Sequence, residues 1–143
     1  MPDIMHELVI KAAPDRIFDA IATQEGLSAW WTRDTEAEPK VGSLAVFGFG
    51  NRATIFRMAV RALDRPGHVE WSCQGDHPEW AGTRVTFDLK PLANGKETTV
   101  RFTHGDWRSA DGWMAPCSYT WAHVLARLKS YSETGERSPY FPG

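Results

Sequence analysis

The residues that could do chemistry are few, and they cluster late in the chain. His104 ends an alternating segment, Asp106 follows two residues on, and Asp111 is close behind. An imidazole held by a carboxylate is the arrangement of a general base, or of a group that orients a ligand. The competing reading is a strand-end histidine bonded to backbone or water. Cys117 and His123 invite a thiol–imidazole pair, but six helical residues turn about 600°, which leaves them about 120° apart around the axis. Cys117 is therefore expected towards the core and His123 towards solvent. His68, His77 and His104 stand on separate segments without ligand spacing. His77 and Glu79, within "DHPEW", read as a solvated loop. No metal or cofactor is expected. There is no nucleophile elbow, phosphate loop or dinucleotide fingerprint.

Aromatic residues are the larger signal: seven Trp and seven Phe in 143 residues. Such a surplus fills a core, or lines an apolar pocket. On parity and helical spacing the candidate lining residues are Trp31, Phe47, Phe56, Met58, Trp71, Phe87, Phe102, His104, Trp113, Cys117 and Trp121. Burying one such ring is worth about 2–3 kcal/mol against protein or ligand alike, so energetics does not separate core from pocket. The adjacent pair Trp30–Trp31 is more specific. Neighbours on a helix point about 100° apart. With Leu27 facing the core, Trp30 shares its side and is expected to be buried, leaving Trp31 partly exposed at a cavity entrance.

These side chains need a scaffold. Residues 6–12 read as a strand ending before Pro14, and Pro14 opens a helix over 14–23 with Ile17, Phe18 and Ile21 inward and Asp15 in its first turn. Gly26 separates it from a short helix at "LSAWW". Strands follow over 43–49 and 53–63, parted by Gly50-Asn51. In the second, Phe56, Met58, Val60 and Ala62 share one face, and Arg57 and Arg61 the other. Val69, Trp71 and Cys73 alternate over 68–73. "GDHPEWAG" reads as an irregular loop. Segments 83–89 and 98–104 form a hairpin about Asn94-Gly95, which puts Val85, Phe87, Leu89, Val100, Phe102 and His104 on inward faces. Met114, Cys117, Trp121, Val124, Leu125, Leu128 and Tyr131 make one helical stripe, stopped by Gly135. Pro116 sits in the first turn of that helix, or kinks one that began near Ala110. The class is α+β: an antiparallel sheet of six or seven strands, two short helices after the first strand, and a long helix covering the sheet. One domain over 1–143 is expected, with an irregular tail from about 136.

The ordered set "IKAAPDRIFDAIAT", "GLSAWW", "KVGSLAVFGF", "VRALDRPGHVEWS", "TRVTFDLKPLANGKETTVRFTHGDW" and "WAHVLARLKSYSETG" resembles the START-like (SRPBCC, helix-grip) superfamily. Within it, the set resembles the branch named after the activator of the heat-shock-protein-ninety ATPase. The resemblance implies a curved sheet gripping the last helix, with an internal cavity between them. By family analogy a homodimer is a further expectation. The fold hosts lipid, hormone and polyketide binders and a few enzymes, so it does not settle function.

Bulk properties narrow the classes. Net charge is −2, with no basic cluster, so nucleic acid is not an expected partner. No apolar run reaches membrane-span length and the first residues lack a signal-peptide pattern. Two unpaired-looking cysteines, Cys73 and Cys117, fit a reducing compartment. The chain is expected to be cytoplasmic. The leading reading is a module that binds a small hydrophobic or aromatic molecule in the cavity. The alternatives are a cyclase- or hydrolase-like enzyme using His104, and a chaperone ATPase-activator-like interaction protein.

Overall fold

A computed structural model describes residues 1–143. Seven antiparallel strands form one sheet in the order β1-β7-β6-β5-β4-β3-β2. They are β1 (Ile4–Ile10), β2 (Thr35–Glu36), β3 (Leu44–Phe49), β4 (Thr54–Asp64), β5 (His68–Cys73), β6 (Arg84–Pro91) and β7 (Thr98–Gly105). The helices are α1 (Pro14–Ala22), α2 (Gln24–Trp30) and α3 (Met114–Thr134). Strands β3 to β7 follow one another as neighbours, with a longer connection over 74–83 between β5 and β6, and β1 pairs with β7, with Ile4 opposite His104 and Ile10 opposite Thr98. This is the helix-grip α+β arrangement, with α3 as the gripped helix.

Local chemistry explains the helix boundaries. Pro14 occupies the first turn of α1, and Asp15 lies at its positive end. Thr23 serves both short helices: its hydroxyl donates to the Asp19 carbonyl (2.7 Å) and accepts the Gly26 amide (3.0 Å). Gly26 is thus inside α2, not between the helices as the sequence suggested. A Cβ there would fall 2.4 Å from the Ala20 carbonyl oxygen, so only glycine lets α1 and α2 cross this closely. α3 begins at Met114 with Pro116 in its first turn, and no kinked extension from Ala110 forms. Gly135 ends it at φ 78°, in the left-handed region. No side chain of α3 caps its start. Glu79 does so from the 74–83 connection, accepting the Trp113 amide at 2.8 Å, and a carboxylate is favoured at that end of the dipole.

Three strand details depart from expectation. β1 runs over Ile4–Ile10 rather than 6–12, because residues 11–13 lead into α1 instead of pairing with β7. β2 is a two-residue strand opposite Val46 and Phe47, too short for an alternation signal. In β4 the register slips between Val60 and Ala62. This bulge turns Ala62 off the inward face and puts Leu63 opposite buried Val69, where it packs on the core.

The core is aromatic and lies between the sheet and the crossing of α2 with α3. Phe47, Met58, Trp71, Phe87 and Phe102 are at most 2% exposed. Their rings run in contact from Trp71 to Phe87 (5.4 Å), on to Phe102 (5.2 Å), and up to Trp121 of α3 (4.6 Å).

Candidate functional site: an aromatic cavity beside a closed histidine circuit

Towards the β3–β4 end the sheet extends past the cover of the helices and leaves a cavity of about 370 Å³. Phe49, Thr54 and Phe56 form its sheet wall. The first three turns of α3 form the opposite wall with Trp113, Pro116, Cys117, Thr120, Trp121 and Val124. Two connections, carrying Trp31 and Trp80, and the segment after α3, carrying Phe141, complete it. No charged side chain lines it. The volume lies at the lower end of the range for small-molecule sites.

Five of the candidate residues, Trp31, Phe56, Trp113, Cys117 and Trp121, line this cavity. Phe47, Met58, Trp71, Phe87 and Phe102 do not: they are packed under the helices, behind it. They face inward as parity required, but parity gives the face and not the distance along the strand. Trp31 is also corrected. It is 2% exposed, not partly open at an entrance. α2 ends at Trp30, and Trp31 has left helical geometry (φ −98°, ψ −80°). The 100° rule therefore lapses between them, and both rings turn inward and stack (6.2 Å, 19°). Trp30 is fully buried and donates its Nε1–H to the Ala20 carbonyl (2.8 Å). Trp31 continues onto Phe47 (4.3 Å), Trp71 (6.1 Å, 4°) and Trp121 (5.0 Å).

Trp80 was missed because it lies in a loop without periodicity. It stacks on Phe56 at 4.2 Å and is 94% buried, its exposure being 6%. Its Nε1–H has no oxygen or nitrogen partner and faces the Cys117 thiol. Burial pushes that thiol's pKa up, which keeps Cys117 mainly protonated and slow to react. His123 is on the solvent side, against Tyr119, so the two do not meet. The polar part of "DHPEW" is spent on structure: the His77 ring stacks on Trp113, 3.6 Å between centroids, at the cavity rim.

His104 does point inward, but it does not line the cavity and it has no carboxylate. Asp106 instead accepts from Arg84 Nε at 2.9 Å, with its own φ at 67°. Asp111 is exposed on the following loop. Donor arithmetic fixes the state of the ring. Trp121 Nε1–H can only donate, and it does so to His104 Nδ1 (3.1 Å). The Thr83 hydroxyl gives its one proton to the Trp80 carbonyl (2.6 Å), so it accepts from His104 Nε2–H (2.8 Å). The histidine is neutral and fully satisfied. Burial lowers its pKa from 6.5 to about 3. A second proton would also set two N–H groups against each other at Nδ1. The His104–Asp106 pair is therefore corrected: His104 is a structural node that locks the floor of the cavity, joining α3, β7 and the loop of Trp80. Trp107, likewise missed, braces the same node with an Nε1–H bond to the His104 carbonyl (2.9 Å).

A curved antiparallel sheet gripping one long helix, with an apolar cavity at the open end of the grip, defines the START-like class. The chain belongs to the family described as "Activator of Hsp90 ATPase homolog 1-like protein", whose pattern matches residues 11–133. It is similar to the Aha1 dimer of Colwellia psychrerythraea solved in solution. That protein is 36% identical, with 94% of this chain and 98% of that one covered and a TM-score of 0.84. A Bacillus halodurans protein (23% identity, 93% and 98% covered, TM-score 0.74) and a Mesorhizobium loti protein (17%, 90% and 95%, 0.77) share the fold. No match is found among the curated proteins. No helix is long and apolar enough to cross a membrane.

Proposed function

We propose that this chain binds a small hydrophobic or aromatic molecule in the cavity between the β3–β4 end of the sheet and the start of α3. The supporting observation is the cavity itself: about 370 Å³, walled by aromatic rings, with no charged group. An ionised ligand would lose its hydration there without a counter-charge, so the ligand is uncharged where it is buried. The donors in its walls are few, among them the Thr54 and Thr120 hydroxyls, the Cys117 thiol and the unpartnered Trp80 Nε1–H. His104, closed on itself, supports no acid–base step in this reading.

Titration with the neutral fluorescent dye N-phenyl-1-naphthylamine is expected to show saturable enhancement and a rise in Tm, because a ligand of the folded state stabilises it. Thr120→Phe places a ring in the cavity from a half-buried helix position and is expected to weaken the dye by about tenfold or more, about 1.4 kcal/mol, with little loss of stability. No saturable binding, or undiminished binding in the Thr120→Phe variant, would refute the reading. The same proposal includes self-association, because the 36% identical relative is described as a dimer. Light scattering that gives the mass of one chain at all concentrations would remove that part.

A further inference from the structure

After α3 the chain turns back along α2 and docks there by main-chain bonds. The amides of Ser138, Tyr140 and Phe141 donate to the Ala29, Trp30 and Trp31 carbonyls (2.9, 3.1 and 2.9 Å). Arg33 returns a bond to the Phe141 carbonyl (3.0 Å). The accepting carbonyls belong to the last two residues of α2 and to Trp31 just beyond it, where no helical partner follows. The segment is thus a helix cap supplied from more than a hundred residues away. Arg127 fastens it from α3, with Nη1 donating to both the Ser138 carbonyl and its hydroxyl at 2.9 Å, and Arg137 ties it to Glu25 and Ser28.

The segment's one contribution to the cavity is Phe141, which meets Phe49 edge-on at 5.0 Å. Every other wall belongs to the sheet, to α2–α3, or to the loop that carries buried Trp80. Phe141 alone stands on a strap outside the sheet and helices, held by a few main-chain bonds to residues 29–33, the two arginines, and the packing of half-buried Tyr140 and Phe141. Such segments open locally at far lower free energy than the sheet. We propose that residues 138–141 are a detachable wall of the cavity, and that Phe141 sets how large a molecule is admitted. As a statement about ligands this rests on the binding function proposed above. As a statement about access it stands without any ligand.

Cys117, half-buried in the cavity wall, is a reporter, and Cys73, 5% exposed in the core, is an internal control. The native protein is treated with methyl and with benzyl methanethiosulfonate, and modification of each cysteine is followed by mass spectrometry. The ratio of the two rates cancels the thiol's own acidity and reports size admission. Phe141→Ala, which removes the wall, and Arg127→Ala, which loosens the strap from outside the cavity, are each expected to raise the benzyl-to-methyl ratio at Cys117 by about tenfold. Cys73 stays unmodified. A ratio unchanged in both variants overturns the strap. If N-phenyl-1-naphthylamine fails to bind the native chain, the ligand reading falls while the thiol ratio still decides the strap. If the dye binds and the ratio does not move, the strap falls and the ligand reading stands.

Discussion

Acidification from about pH 7.5 to about pH 4 is expected to cost the fold about 3 kcal/mol through His104 alone. The folded state holds the ring neutral down to about pH 3, whereas the unfolded chain protonates it near 6.5. Stability from this group is therefore complete above 6.5, falls as pH drops through the interval, and is exhausted near 3. At about 1.4 kcal/mol for each pH unit the full interval amounts to about 5 kcal/mol. Carboxylates titrate in the same range, so a reference protein is needed. His104→Gln can still donate towards Thr83 but leaves Trp121 Nε1–H without its acceptor, at a cost of about 2 kcal/mol near neutrality. Urea unfolding should show the gap of about 2 kcal/mol close as pH falls and reverse to about 1 kcal/mol in favour of the variant by about pH 4, because only the native protein loses the histidine contribution. Parallel curves would mean that His104 titrates normally and that the closed circuit is misread. His68 works in the opposite sense and cancels between the two. Partial burial lowers its pKa, but the Asp88 and Glu70 carboxylates outweigh that and raise it. Its contribution is complete below 6.5 and lost as pH rises through its folded value.

The same histidine shows what could be read before the structure. Its parity with Val100 and Phe102 placed it inward, and inward it is. Its partners are Trp121, seventeen residues on, and Thr83, twenty-one back. No local pattern announces them, and the carboxylate that was local, Asp106, turned to Arg84. Strands with a buried and a solvated face were legible to within about two residues at their ends, because period-two burial writes itself into the sequence. β5 matches its expected span of 68–73. What escaped was whatever broke a period. The β4 bulge moved Leu63 inward, the end of α2 released Trp31, and the loops carrying Trp80 and Trp107 had no period to begin with. The cavity escaped for a related reason. Phe47 and Phe49 share a face, two residues apart. Yet the first lies under the helices and the second beyond them, and only the placement of α3 decides which is core and which is wall.

Replacement of Trp31 by Ala is expected to destabilise the protein by about 3–5 kcal/mol, the usual cost of removing a buried tryptophan. It is 2% exposed and in ring contact with Trp30, Phe47, Trp71 and Trp121, so the ring ties α2 to both the sheet and α3. Trp30→Ala should cost as much or more, since it also strands the Ala20 carbonyl now bonded to the indole. The two losses differ in kind. The space left by Trp30 is closed on all sides by core. The space left by Trp31 opens into the cavity, because Trp31 is itself a wall. A small aromatic such as indole is therefore expected to fill the second void in preference to the first. Indole at ten times its Kd would return about 1.4 kcal/mol to Trp31→Ala, read as a shift in the urea midpoint, and leave Trp30→Ala where it was. No rescue of Trp31→Ala would mean the cavity does not extend to Trp31, equal rescue of both would mean the Trp30 void is reached as well, and a loss below about 1 kcal/mol would mean the ring is not part of the core. Trp31 is thus where the stability of the fold and the capacity of the cavity meet in one side chain, and the pair of variants separates the two.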